Sequence, residues 1–266
     1  MKQFKSEIMQ QATEFTEFAT LLAQESSRVI MPWFGNHELI VEQKSDESPV
    51  TIADRAAEQI MRDLIHKNYP GHGVIGEEFG SERADAEHVW VLDPIDGTAS
   101  FTTGCPLFGT LIALMRDGRP VLGAIHLPAL KQLCMGDSST TELNGKTVKM
   151  RPEFKLAQAT VLASGIDTIK EFQSWQRFEK LLGRTRMFRT WGDCYGYVLL
   201  ATGWADIMLD PIMHAWDLMA LVPIIEGAGG IITDWHGEDA VEGTSCIAAN
   251  KSLHSKVVRM LNRHQK

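Results

Sequence analysis

The strongest constraint on this chain is the stretch from Trp90 to Phe101, W-V-L-D-P-I-D-G-T-A-S-F, where an apolar run ends in two aspartates three residues apart, followed by Gly-Thr. Val89, Trp90, Val91 and Leu92 have the character of a buried strand. Pro94 is expected to stop that strand, and Gly97 and Thr98 to open a turn whose backbone N–H groups face an anion. Glu77, in V-I-G-E-E-F-G, lies upstream of Asp93, and Asp217 lies far downstream in H-A-W-D.

A lone Asp most often caps a helix or faces solvent, but Asp93 and Asp96 follow a strongly apolar strand and are separated by a rigid Pro. Like charges about 4 Å apart repel by about 4 kcal/mol at an effective dielectric of about 20, so four gathered carboxylates need a counter-charge. Divalent cations supply it. Oxygen ligands without His or Cys favour Mg²⁺ or Mn²⁺ over zinc, and Mg²⁺ keeps several waters, leaving places for a phosphate oxygen and an attacking water. The pattern therefore points to metal-assisted phosphate chemistry.

At 266 residues with 44% hydrophobic content, the chain can bury a substantial core as one large domain or two closely packed halves. A net charge of −8 argues against nonspecific binding of nucleic acid or an anionic membrane. Cys105, Cys134, Cys194 and Cys246 are widely spaced with no C-x-x-C, as expected of reduced thiols. Charged residues interrupt the N-terminal segment, and no apolar run has membrane-spanning length, so a soluble cytoplasmic protein is expected.

Phe4, Ile8, Phe15, Phe18, Leu22 and Val29 recur at helical spacing and predict a long first helix ending near Pro32. Lys44 to Pro49 is polar and suited to a mobile loop before a second helix from about Ala53. Strands are expected at 74–76, 89–92, 108–115 and 121–126, with Arg116-Asp117-Gly118-Arg119 as a hairpin turn. Further strands at 160–163, 186–189, 205–209, 230–233 and 247–249 alternate with helical stretches. The α/β interleaving covers the whole chain, 1–266, as a single unit. Its best internal seam, 136–152, divides an N-terminal half (about 1–150) holding the metal motifs from a C-terminal half (about 151–266).

Asp54, in S-P-V-T-I-A-D, stands where a helix begins. It serves there as a helix cap, or it hydrogen-bonds Thr98 so that the pair orients a water acidified by the cations. The residues alone leave the two roles open.

G-E-E at 76–78, D-P-I-D-G-T at 93–98, and W-D at 216–217 followed by E-G-A-G-G at 226–230 resemble the inositol monophosphatase family of magnesium-dependent, lithium-sensitive phosphatases. The resemblance covers nearly the entire chain. It implies a layered αβαβα sandwich, usually a homodimer, acting on a small phosphorylated metabolite. By the same resemblance, Glu77, Asp93, the Ile95 carbonyl, Asp96 and Asp217 hold two or three Mg²⁺ per site, with Mn²⁺ as a substitute. Gly97 and Thr98 bind phosphate through backbone N–H groups, Asp54 with Thr98 activates water, and Lys44 falls where the family has a basic residue on a mobile loop.

The substrate should be read by the segment 189–211. R-T-W-G-D-C-Y-G-Y-V-L-L-A-T-G-W-A-D-I-M-L-D-P, together with S-P-V-T-I-A-D and C-P-L-F-G-T-L-I-A-L, is similar to the histidinol-phosphate phosphatase branch. The inositol-type pattern has Gly-Thr in place of Gly192-Asp193 and usually Glu in place of Asp210. Carboxylates at Asp193 and Asp210 beside the leaving group would favour the ammonium and imidazole of histidinol phosphate over a neutral polyol. Trp191, Tyr195 and Tyr197 either stack on the ring or pack the core, with packing expected for at least two; Ala99 departs from the basic residue or Thr common after D-G-T. The resulting expectation is an L-histidinol-phosphate phosphatase late in histidine biosynthesis. The alternatives are an inositol-1-monophosphatase or broad small-monoester phosphatase and, from another class, a noncatalytic metal or phosphate sensor.

Overall fold

The computed structural model describes residues 2–43, 49–152 and 155–262. The chain opens with α1 (Lys2–Ile30), then pairs β1 (Val41–Gln43) antiparallel with β2 (Pro49–Thr51), which runs directly into α2 (Ile52–Asn68). An eight-stranded sheet follows, built from β3 (Gly73–Gly76), β4 (Gly80–Glu82), β5 (His88–Asp96), β6 (Gly109–Arg116), β7 (Arg119–Leu127), β8 (Gln132–Gly136), β9 (Thr141–Leu143) and β10 (Lys146–Thr147). The short helix α3 (Thr98–Thr102) sits between β5 and β6. The spatial order is β10-β9-β8-β7-β6-β5-β3-β4, and only β3 and β5 run parallel.

The second sheet has five strands in the order β12-β11-β13-β15-β14: β11 (Thr160–Ala163), β12 (Met187–Arg189), β13 (Ile207–Asp210), β14 (Gly230–Thr233) and β15 (Cys246–Asn250). Here β11 runs parallel to both β12 and β13. Interleaved with these strands are α4 (Ile166–Phe172), α5 (Trp175–Leu182), α6 (Asp193–Ala201), α7 (Ala215–Leu218), α8 (Leu221–Gly227) and α9 (His254–Asn262).

Strand alternation builds the layers. On β5 and β6, Trp90, Leu92, Ile112 and Leu114 face one way, onto Phe15, Phe18 and Leu22 of α1 and Met61 and Ile65 of α2. Val91, Leu111 and Ala113 face the other way, onto Tyr197 and Leu200 of α6 and Leu221 and Ile224 of α8. That middle helical layer also covers one face of the second sheet, through Leu162, Met208 and Ala248. The opposite face, with Val161, Ile207, Leu209 and Ile247, packs on Phe178 and Leu181 of α5 and Val257 and Leu261 of α9. The architecture is the αβαβα sandwich.

Of the residues proposed to form the apolar face of α1, Phe15, Phe18 and Leu22 are core and Val29 packs in part; Phe4 and Ile8 lie outside the described side chains. The helix ends at Ile30, and Met31–Trp33 continue as a 3₁₀ turn carrying Pro32. The hairpin turn is as expected: Asp117 (φ 51°) and Gly118 (φ 76°) both take the left-handed backbone of a primed two-residue turn.

Two local expectations fail, the first at Pro49, which is expected in the loop from Lys44 and instead opens β2, the rest of that loop lying outside the described residues. Pro94 does not stop the strand; β5 runs through it to Asp96, because the register with β6 breaks between Asp93 and Asp96. Within that irregularity a missing N–H costs no ladder bond, and the Pro94 carbonyl accepts from Thr110 Oγ1 at 2.9 Å. The segment 136–152, expected as a seam, carries β9 and β10 of the first sheet, and the Met150 N–H donates to the Ala228 carbonyl at 3.0 Å.

Candidate active site

Parallel pairing assembles the acidic cluster. The β3–β5 register sets Gly76 opposite Leu92, so the next residues, Glu77 just past the end of β3 and Asp93 within β5, lie level with one another. The Glu77 N–H extends the ladder by donating to the Leu92 carbonyl at 3.2 Å. Asp96 closes β5 three residues on, and Asp217 arrives on α7, where the His214 N–H donates to its Oδ2 at 2.7 Å. Oxygens of Asp93, Asp96 and Asp217 all lie within 4.8 Å of one another, and Glu77 touches the group through Asp93, to which it is both a like charge and a hydrogen-bond partner.

These acids are held against their own ionisation. Asp93 is raised well above the usual carboxylate range, first by burial and then by the charges of Glu77, Asp96 and Asp217. Asp96 is raised well above it by burial, then by Asp193 and Asp217, although the Cys194 N–H donates to its Oδ2. Asp217 is pushed up to about 7, again chiefly by burial. Asp93 Oδ1 is buried with no hydrogen-bond partner. An orphaned carboxylate oxygen among clustered acids fits an oxygen-liganded divalent cation.

A pH dependence follows. Between about pH 4, where carboxylates of the unfolded chain ionise, and pH 7, the folded metal-free cluster binds more protons than the unfolded chain, so stability falls as pH rises. Metal-stripped protein is expected to melt lower at pH 8 than at pH 5.5, and Mg²⁺ to raise the melting temperature more at pH 8. A thermal shift on adding Mg²⁺ that is equal at the two pH values contradicts this.

Asp54 caps a helix and also approaches Thr98. It caps α2 reciprocally with Thr51, whose N–H and hydroxyl donate to Oδ2 at 2.8 and 2.6 Å. Its other oxygen, Oδ1, lies 3.4 Å from Thr98 Oγ1, which is also 3.0 Å from the Ile95 carbonyl. Burial raises Asp54 above the ordinary carboxylate range, partly offset by the Thr51 bonds. Gly97 caps α3 with φ 81°, and a Cβ there would lie 2.9 Å from Asp193 Oδ2. The amides that begin such a helical turn have no intrahelical acceptor and point outward.

Beside the metal-ligand candidates opens a cavity of about 320 Å³, whose lining includes Asp96, Asp217, Asp193, Asp210, Ser164 and Thr168. The parallel register repeats its work here: Ala163 pairs with Leu209, so Ser164 meets Asp210, donating its N–H to Oδ1 at 3.2 Å. Tyr197 O–H donates to Asp210 Oδ2 at 2.7 Å, and Ser164 Oγ accepts the Asp193 N–H at 2.9 Å. Asp193 is pushed up to about 6, first by burial and then by Asp210. No Lys or Arg lines the cavity among the described residues. Tyr197 is buried in the middle layer and also lines the cavity, Tyr195 packs against that layer, and Trp191 is exposed, with the Arg189 guanidinium over its ring. Lys44 lies outside the described residues.

Sequence reasoning missed Ser164 and Thr168, whose place depends on β11 lying beside β13.

The layered fold with carboxylates gathered at strand ends defines an αβαβα phosphatase. The chain matches the inositol monophosphatase family over residues 11–266, and it belongs to that family. It is 43% identical to the bifunctional phosphatase IMPL2, chloroplastic, of Arabidopsis thaliana, over 91% of this chain and 71% of that protein. It is 35% identical to a histidinol-phosphatase of Chlorobaculum parvum, over 91% of this chain and 94% of that one. Among solved structures, an inositol monophosphatase from Zymomonas mobilis is similar at a TM-score of 0.84 and 36% identity, covering 94% of this chain and 98% of that one.

Proposed function

We propose that this chain is a Mg²⁺-dependent L-histidinol-phosphate phosphatase, hydrolysing the monoester to histidinol and phosphate. The observation that carries the reading is the cavity beside the carboxylate cluster, lined by Asp193 and Asp210 and by no Lys or Arg among the described residues. Such a lining suits a cationic leaving group and offers a neutral polyol less. The likeness to histidinol-phosphatases of Chlorobaculum parvum and Mycobacterium tuberculosis, the latter at 34% identity, supports it. The competing reading, hydrolysis of inositol-1-phosphate, is favoured by the likeness to the Zymomonas mobilis protein.

In this proposal Glu77, Asp93, the Ile95 carbonyl, Asp96 and Asp217 hold the metal. Bound Mg²⁺ supplies positive charge to the phosphoryl oxygens and leaving group and acidifies the attacking water. The backbone N–H groups of Gly97 and Thr98 orient the phosphate. The Thr98 hydroxyl takes a proton from the attacking water as its own passes to Asp54 Oδ1, and the two Thr51 bonds fix the Asp54 carboxylate for that role. Asp193 and Asp210 hold the ammonium and imidazole of the leaving group. Lithium inhibition and a homodimer belong to the same reading.

Asp193→Asn is the variant that tests the cation-reading pocket. It is expected to lower kcat/KM for histidinol phosphate by about thirtyfold, roughly 2 kcal/mol, while hydrolysis of a small uncharged monoester changes by less than about threefold. Equal damage to both substrates removes Asp193 from specificity.

A further inference from the structure

A buried ion pair outside the carboxylate cluster stands directly behind one of its members. Glu58 lies on α2 one turn beyond Asp54 and is fully buried. Its Oε1 accepts from Arg62 Nε at 2.8 Å and from the Phe79 N–H at 3.1 Å, and its Oε2 accepts from the Glu78 N–H at 2.7 Å. Arg62 Nη2 in turn donates to the Gly80 carbonyl. On the other side of Glu77, the carboxylate fills the space of a missing side chain: a Cβ on Gly76 would lie 2.1 Å from Glu58 Oε1. Residues 78, 79 and 80 are thus bonded to this pair and Gly76 is packed against its carboxylate, so the backbone on both sides of Glu77 meets it.

Burying a carboxylate is costly unless it is fully paired, and this one is paired with Arg62 and with the two amides of a short turn. The expense has a physical return if the turn must not move. We propose that Glu58 is a positioning residue for the metal site, fixing the backbone on both sides of Glu77 so that its carboxylate stands level with Asp93. Asp54 and Glu58, four residues apart on one face of α2, then make that helix a common ruler for the water-orienting pair and for the β3 end of the cluster. The inference rests on Glu77 being a metal ligand.

The test is direct Mn²⁺ binding to metal-stripped protein, measured calorimetrically and by loss of the free-ion paramagnetic signal, alongside the Mg²⁺ dependence of turnover. Glu58→Asp keeps the charge beside Arg62 but withdraws it from the amides of residues 78 and 79. It is expected to weaken Mn²⁺ binding about tenfold and to raise the Mg²⁺ concentration for half-maximal activity to match. At saturating Mg²⁺, kcat and the substrate KM should stay within about threefold of wild type. Glu58→Gln, which keeps the side-chain length, serves if the shorter side chain fails to fold. Added to Glu77→Gln, either substitution should weaken Mn²⁺ binding no further. Wild-type Mn²⁺ affinity in a folded Glu58 variant overturns the inference, as does a loss that persists undiminished in the Glu77→Gln background. Undiminished Mn²⁺ binding by Glu77→Gln alone overturns the ligand assignment beneath it.

Discussion

Asp93→Asn is expected to cut kcat/KM by a thousandfold or more, on the order of 4 kcal/mol in transition-state stabilisation, while the protein stays folded. Asp93 is 2% exposed and sits at the centre of the cluster, facing Glu77, Asp96 and Asp217, and its Oδ1 has no partner within the protein. Replacing it with a neutral amide removes one negative ligand where charge and oxygen number decide affinity for a hard cation. The same change relieves like-charge repulsion in metal-free protein. At pH 8, metal-stripped Asp93→Asn should therefore melt above metal-stripped wild type, by about 1 kcal/mol or roughly 2–4 °C. Loss of activity with gain of stability separates a metal site from a merely structural acid, whose removal would lower both. Activity measurements with excess chelator, set beside melting curves, check the pair of outcomes.

Asp54→Asn and Thr98→Ala should each lower kcat by about 10²- to 10⁴-fold with little change in KM, the range for a positioned proton acceptor. The geometry allows this because Asp54 uses Oδ2 for the helix cap and leaves Oδ1 toward Thr98. Asn at position 54 keeps a single acceptor oxygen, so it loses either the Thr51 bonds or the means to accept the Thr98 proton. A modest loss of stability, about 1 kcal/mol from the weakened cap, is expected for Asp54→Asn and not for Thr98→Ala. The double variant should be little worse than the poorer single one, since the two groups act on one proton. Additive losses in kcat contradict a shared role.

The cluster was legible because its carboxylates fall in motifs that follow apolar runs: the D-P-I-D after W-V-L and the G-E-E after V-I announce themselves by polarity alone. Strands with clear alternation or β-branched runs, 160–163 and 230–233 among them, were found at their observed bounds. The short β4, with the sequence G-S-E, and the two-residue β10 carry no such pattern; they are strands because a neighbouring edge accepts them. Pro94 misled because a proline ends a strand only where its N–H is needed, and a register break removes that need. The contact of Ser164 with Asp210 and of Glu58 with the 78–79 amides is long-range, set by strand order and helix placement, which composition and spacing do not encode. Asp54 was read as a helix cap or a partner of Thr98; the cap uses its Oδ2, and its Oδ1 faces Thr98.

The central claim is that a carboxylate-lined cavity beside a metal-binding cluster selects a cationic phosphate monoester. Its most direct test is kcat/KM of the purified wild-type protein for L-histidinol phosphate and for inositol-1-phosphate, measured side by side by phosphate release at saturating Mg²⁺. The account predicts a preference for histidinol phosphate of about a hundredfold, on the order of 3 kcal/mol, the worth of one or two charge-assisted hydrogen bonds. Equal rates, or a preference for inositol-1-phosphate, contradict it.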